Sequence, residues 1–455
     1  MVSTPADILI ETSPVETRAA LIDGEGRLIR FLREPHHRQS LVDGIYRGRI
    51  SALDKASGGA FVEIGASTAA YLPRAKGLTE GQALVVQVLR DGWGEKGAVV
   101  TRSPVLRGRY LGWQSTGKGV ETERGVPKSR AAQTIRDELA ASVGGRIIVR
   151  KPALEVSLEQ LQDELAWLGE IWAGIEQSSE EKSAPECLLA PPGLAHRLLR
   201  DCQPEEGIYV DDRGLFSELK DSSASRCPDL KGRIVFHDKT PGLFEAAEVE
   251  TEWQAALERK VALEGGGQLT FDETEALVAI DVDSGNVGGG PDGIRRANLA
   301  AMAEIARQIV LRNLGGLIVI DPITTGNRGH RKQMVDALRR EMKGDDRATD
   351  VLGMTSAGLV EMPRQRQGPS LSADALAPRS RGITFNAECE AAGLLRRVIG
   401  LNGPGRPVIE ARQEIIAVLT GILAEARAET ERRLGQSLEL RTDNAKTVPE
   451  IFLER

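Results

Sequence analysis

The sequence predicts a multidomain α+β protein, and three observations carry that reading. Up to residue 101, short β-rich runs alternate with glycine-containing turns. A strand–helix–strand–helix series occupies residues 276–342. Beyond residue 383 the spacing of apolar residues is mainly helical. The 455 residues suffice for several domains and a substantial core. Hydrophobic residues make 41% and charged residues 27%, a water-soluble globular composition.

The opening "ADILIETSPVETRAALIDGEGRLIRFLRE" reads as two or three strands, with "DGEG" as a hairpin turn. Next, "GIYRGRISALDKASGGAFVEIGASTAAYLPRAKGLTEGQALVVQVLRDGWGEKGAVVT" has the short, glycine-punctuated strands of a small closed barrel of OB type. Helices are predicted over Ala131–Ala141 and Leu158–Ile175, with "GRIIVRKP" as a strand between them. From Cys187 to Ala247 a helix mixes with short strands, of which "IYVDDRG" and "GRIVFHD" are the clearest. Strand Ala276–Ile280, helix Ile294–Asn313, strand Leu317–Ile320 and helix His330–Met342 then form a βαβ unit with parallel strands. Residues 367–383 read as a linker. The tail reads as helices over Glu388–Leu401 and Arg412–Arg433.

Charge and cysteine usage narrow the classes. A formal net charge of −7 argues against a chain coated in positive charge for unspecific DNA binding, but leaves room for a local basic channel. The cysteines Cys187, Cys202, Cys227 and Cys389 form no C-x-x-C pair, which argues against a disulfide scaffold or a dedicated zinc site. No secretory leader and no membrane-spanning apolar run is legible, so the expected location is cytoplasmic.

Chemistry is suggested where two apolar strands end on aspartate. "TEALVAIDVDSG" carries Asp281 and Asp283, and "GGLIVIDPITTG" carries Asp321. Strand C-termini of a parallel pair lie along one edge, so Asp281 and Asp321 can approach each other. Asp283, two residues on, shares the face of Asp281 if the strand continues. Clustered carboxylates need a cation or a proton between them, and Mg²⁺ suits oxygen ligands. The competing reading is that each Asp caps a turn or a helix. The glycine loop "GNVGGG" fits neither the dinucleotide nor the P-loop pattern.

These segments, with "IARQIVLRNLGGLIVID" and "GLVEMPRQRQGPSL", resemble the catalytic region of the ribonuclease E/G family. "GIYRGRI" and "GGAFVEIGASTAAYLP" resemble the RNA-binding OB domain of that family, and "GAVVTRSPVLRGRYL" and "GRIIVRKP" match further blocks in the same order. The resemblance implies a ribonuclease-H-like domain from residues 1–39 and 187–255. An OB domain (40–115) and a 5′-end sensor domain (116–186) are inserted into it. A deoxyribonuclease-I-like catalytic domain (256–370) follows, then a linker and small helical domain (371–455). It implies a Mg²⁺-dependent endoribonuclease that cuts single-stranded RNA and leaves 5′-phosphate products.

By the same resemblance Asp281 and Asp321 hold the metal, with Asp283 beside them. Phe61 and Tyr71 stack on RNA bases, and Arg47 and Arg49 track phosphates. Arg150 and Lys151 occupy the 5′-phosphate-sensing position. Arg364, Gln365 and Arg366 of "PRQR" hold either the catalytic domain or phosphate. Four departures stand out. Asp283 replaces a usual Asn, Thr324 a usual Asp and Lys151 a usual Thr. Only Cys389 lies near the place of the family's C-P-x-C zinc link, so a homo-oligomer would form without shared zinc. The changes at Asp283, Thr324 and Lys151 support a second reading, a relative that binds RNA with little or no cleavage.

Overall fold

The computed structural model describes residues 5–94, 96–140, 145–285, 290–379, 382–401 and 403–454. The chain divides into two compact units, residues 1–39, 205–213 and 236–455 in one, and residues 40–204 and 214–235 in the other.

In the first unit, strands Asp7–Thr12, Glu16–Ile22 and Leu28–Pro35 form an antiparallel meander, and Gly207–Val210 lies parallel to the first of them. The "DGEG" turn forms as expected. The Asp23 carboxylate accepts the Glu25 and Arg27 backbone N–H groups, and Gly26 takes the left-handed conformation that closes the hairpin.

The same unit holds a six-stranded sheet in the order Lys260–Ala262, Gln268–Glu273, Leu277–Asp283, Gly316–Asp321, Val360–Arg364, Gly353–Met354. Only the central pair is parallel, joined by helix Gly290–Leu311. That helix and helix Arg328–Met342 cover one sheet face. Met302, Ile305, Ile309, Met334 and Leu338 pack there against Val278, Ile280, Val282, Ile318 and Ile320. The strand expected over Ala276–Ile280 does not stop before its aspartates. It runs on through Asp283, because Gln268–Glu273 supplies an antiparallel partner from Val278 to Asp283. Residues 286–289 of the glycine loop lie outside the described residues.

Two expectations for the C-terminal third are corrected. The segment 367–383 is not a linker. Ser370 caps a helix over Leu371–Ala375, and strands Leu376–Arg379 and Gly382–Phe385 pair antiparallel. Leu371 and Ala375 are buried with Phe31, and the Trp253 ring stacks between Phe31 and Phe385. Its polar sequence concealed two apolar anchors. The tail is α/β rather than mainly helical. Strand Arg406–Ala411 is flanked by Glu439–Thr442 in parallel and Glu450–Glu454 in antiparallel register. The helix expected over Arg412–Arg433 breaks at Gly421 into Gln413–Thr420 and Ala424–Leu434. A Cβ at Gly421 would lie 2.9 Å from the Ala417 carbonyl oxygen, so the close turn requires glycine there.

In the second unit, strands Ile45–Asp54, Gly59–Glu63, Ala70–Leu72, Val99–Thr101 and Ala83–Arg90 pair in that order, and the last returns to the first. This closed five-stranded barrel encloses Ile50, Val62, Leu72, Val86, Val88 and Val100. A four-stranded sheet follows in the order Gly119–Thr122, Arg146–Val149, Leu111–Gln114, Leu106–Arg107. Helix Leu158–Glu181 packs on it, starting at a Ser157/Gln160 capping box and outrunning its expected end at Ile175.

Candidate functional site

Strand register brings the two aspartates together. Asp281 and Asp321 are direct partners at the C-terminal ends of the two parallel strands. Alternation along each strand sends Ile280, Val282 and Ile320 into the core and turns Asp281 and Asp321 out on the opposite face. Adjacent strands lie about 4.8 Å apart, so the carboxylates project side by side. Both are exposed, and among the described residues neither is engaged in a hydrogen bond or ion pair. Two such carboxylates repel unless a cation lies between them, and a hard divalent ion with water filling its remaining positions fits this donor set.

Asp283 projects from the same face but is otherwise employed. One oxygen accepts the Gly285 N–H at 2.9 Å, and the other faces the Gln268 amide at 3.4 Å. Among the described residues no three His, Cys, Asp or Glu side chains gather as a metal cluster. The facing carboxylates are thus a pair, with a turn-forming third aspartate alongside.

The backbone beyond Asp321 is held by Asn298, a residue the sequence reading passed over. It is 1% exposed on helix Gly290–Leu311. Its amide donates to the Ile323 carbonyl at 2.9 Å and accepts the Ile323 N–H at 3.0 Å. A lone Asn on the buried face of "RRANLAAMAEIA" was the available signal, since a buried amide must find partners. Thr324 follows, exposed. In "PRQR", Arg364 is structural. It is buried against Asp345 at 2.7 Å and donates to the Leu314 carbonyl at 2.6 Å. Arg366 donates to the Gly315 carbonyl and lies over Gly316, at the far end of the Asp321 strand.

On the barrel, Phe61 and Tyr71 are cross-strand partners with ring centroids 5.9 Å apart and planes at 64°. Phe61 is 41% exposed, so it is not a barrel-core residue. The Tyr71 ring lies across Gly59, where a Cβ would come within 2.4 Å of the hydroxyl oxygen, and that hydroxyl bonds Ser57 at 2.7 Å. Arg47 and Arg49 share a face, but their guanidinium groups are spent on backbone. Arg47 donates to the Ser179 and Lys182 carbonyls, and Arg49 to those of Gly81 at 3.0 Å and Ala184 at 3.2 Å.

Arg150 is likewise internal. It is 7% exposed, donates to the Gly108 carbonyl at 2.5 Å and pairs with Asp201 at 2.9 Å. The loop it grips is fixed from the other side by buried Glu164, which accepts the backbone N–H groups of Arg109, Tyr110 and Leu111. Lys151 beside it is exposed. Cys389 is buried, with Arg33 donating to its sulfur at 3.7 Å, and burial pushes its thiol up to about 11.

Residues 105–367 match the Ribonuclease E/G family. Ribonuclease G of Salmonella typhimurium (strain SL1344) is 30% identical, over 96% of this chain and 97% of that protein. Ribonuclease G of Escherichia coli (strain K12) matches with the same identity and coverage. Ribonuclease E of the same Escherichia coli strain is 29% identical, over 96% of this chain but 44% of its own length.

Proposed function

Because the chain belongs to the ribonuclease E/G family and is thereby an endoribonuclease, we propose that it hydrolyses single-stranded RNA at the Asp281–Asp321 pair with Mg²⁺ and leaves 5′-phosphate products. The observation that carries this reading is the direct register of two exposed, otherwise unengaged carboxylates. Asp281 and Asp321 would hold the ion. When bound, it supplies Lewis acidity toward the phosphodiester and makes hydroxide accessible near neutral pH. Asn298 positions the residues after Asp321, and Asp283 fixes the turn after its strand. Water oxygen bonds to phosphorus, the P–O3′ bond breaks, and the departing 3′ oxygen takes a proton. The phosphate stays on the downstream fragment.

In this reading the barrel is an OB domain that presents Phe61 and Tyr71 to unpaired bases, for which aromatic faces are suited regardless of sequence. Arg47 and Arg49 then act mainly as barrel struts. Any recognition of a 5′-phosphate falls to exposed Lys151, with buried Arg150 as its frame. The meander of residues 7–35 belongs to a ribonuclease-H-like domain, and the six-stranded sheet to a deoxyribonuclease-I-like one. The enzyme works in the cytoplasm, and any homo-oligomer forms without a shared zinc.

The test is cleavage of a short, 5′-monophosphorylated, unstructured RNA with and without Mg²⁺. Asp281→Asn and Asp321→Asn each remove nearly all Mg²⁺-dependent cleavage while the circular dichroism spectrum is unchanged. A folded variant of either kind that cuts at the parental rate overturns the assignment.

A further inference from the structure

Among the described residues, the exposed large apolar side chains are Phe61, Leu89, Trp93, Val235, Leu317, Leu352, Ile422 and Val448. Three of the eight, Phe61, Leu89 and Trp93, lie on the small barrel, so apolar exposure is concentrated there. Trp93 is 52% exposed and caps the hairpin between strands Ala83–Arg90 and Val99–Thr101. Tryptophan is a costly residue to leave half in water unless something covers it in use.

Backbone contacts join the hairpin to the strand that bears Tyr71. The Trp93 N–H donates to the Lys96 carbonyl at 2.9 Å, and the Lys96 N–H donates back at 3.1 Å. A Cβ on Gly92 would meet the Lys96 carbonyl at 2.5 Å, and one on Gly97 would meet the Ala69 carbonyl at 1.9 Å. Both glycines therefore allow backbone to approach backbone, and Gly97 fastens the hairpin to the residue preceding strand Ala70–Leu72. The Tyr71 N–H donates to the Ala98 carbonyl at 2.7 Å. Two residues of chain from Ala98 to Lys96 span at most about 7 Å, which keeps the Lys96 backbone within about 10 Å of the Tyr71 backbone. Arg90 and Lys96, both exposed, stand three residues to either side of Trp93, in a segment where Asp91 and Glu95 balance their charge.

We propose that Trp93 is a further stacking position for the RNA substrate, taking one more unpaired base beside those received by Phe61 and Tyr71. This rests on the reading of the barrel as the RNA-binding part. The chemistry is that of a single strand. A planar ring accepts the π-face of any unpaired base. Bases inside a duplex have no free face to offer.

The experiment measures the Kd for a fluorescently labelled oligouridylate of about ten nucleotides, in EDTA so that no cleavage occurs, with a blunt RNA duplex as a second probe. Trp93→Ala is expected to weaken oligouridylate binding by about 5- to 100-fold, and Trp93→Phe to restore most of it. Duplex affinity and melting temperature should stay at parental values. Tyr71→Ala runs in parallel. If Tyr71→Ala weakens binding and Trp93→Ala does not, the Trp93 assignment fails while the barrel reading stands. Unchanged affinity in both variants sinks both. Equal losses on the single strand and the duplex refute stacking at Trp93.

Discussion

Replacing Gly59 by alanine displaces the Tyr71 ring without touching the ring itself. Gly59 is outside the left-handed region, so alanine brings no backbone strain there. Its methyl group would lie 2.4 Å from the Tyr71 hydroxyl oxygen and 2.6–2.7 Å from two ring carbons. Ordinary contact near 3.4 Å requires the ring to withdraw by about 1 Å. That movement breaks the 2.7 Å bond to Ser57, worth about 1 kcal/mol of stability, and tilts the face offered to a base. If stacking contributes about 1–3 kcal/mol, Gly59→Ala should weaken single-stranded RNA binding by at least about 5-fold. The decisive measurement is a double-mutant cycle by fluorescence anisotropy. In the Tyr71→Ala background, Gly59→Ala should add almost nothing, because the ring it acts through has gone. A full, additive loss in that background, or unchanged affinity in the folded single variant, would refute the placement of Tyr71 on the RNA path.

Two further perturbations reach other parts of the molecule. Asp283→Asn keeps the oxygen that accepts the Gly285 N–H and removes a negative charge beside the metal pair, so cleavage should persist or rise while more Mg²⁺ is needed for half-maximal rate. Loss that excess Mg²⁺ cannot restore would show that three carboxylates are required. Asp211 is pushed up to about 7, first by burial and then by Glu11 and Asp212, although the Thr12 N–H bond opposes this. A carboxyl with a folded pKa above its unfolded value of 3.8 contributes stability that is full below about pH 4 and lost as pH rises through 7. The limit is about 4 kcal/mol, which partial access to water lowers to about 2 kcal/mol. Asp211→Asn keeps an acceptor for Thr12, so urea melts should show its stability relative to the parent rising by about that amount between pH 4 and pH 8. A relative stability independent of pH would count against the shift.

The sequence disclosed what depends on strong local patterns. Val278, Ile280 and Ile318, Ile320 alternate cleanly with Asp281 and Asp321, and the strand–helix–strand spacing made the pair parallel, so the register could be anticipated. Glycine turns marked the barrel. What stayed hidden depends on tertiary partners. Segment 367–383 is polar in composition, yet Leu371 and Ala375 within it are buried, and Phe385 just beyond it packs on Trp253. The break at Gly421 lies inside an unbroken apolar pattern, because Leu419 and Leu423 on either side of it both enter the core. The tail strands Glu439–Thr442 and Glu450–Glu454 are too short and too charged to read without their partner Arg406–Ala411. Arg47, Arg49 and Arg150 show the same limit from the other direction. Basic residues in plausible places are indistinguishable by sequence from struts until their donors are followed to backbone carbonyls.

An exposed pair of carboxylates is a weak metal site by itself, and that has a chemical consequence. If Asp281 and Asp321 hold a divalent ion as proposed, with Asp283 occupied at its turn, most of the ion's remaining ligands would be water and substrate phosphate. Metal affinity and substrate binding then become linked, because each supplies ligands or charge that the other needs. A rigid three-carboxylate cage would hold metal without RNA, but it would also add negative charge where the phosphodiester must enter. In the proposed function the pair would trade metal affinity for room and for lower repulsion. In the proposed function, discrimination for unpaired RNA would come from surfaces that read base faces rather than from the metal, and the exposed rings of Phe61 and Trp93 with the half-buried ring of Tyr71 are chemically suited to that task.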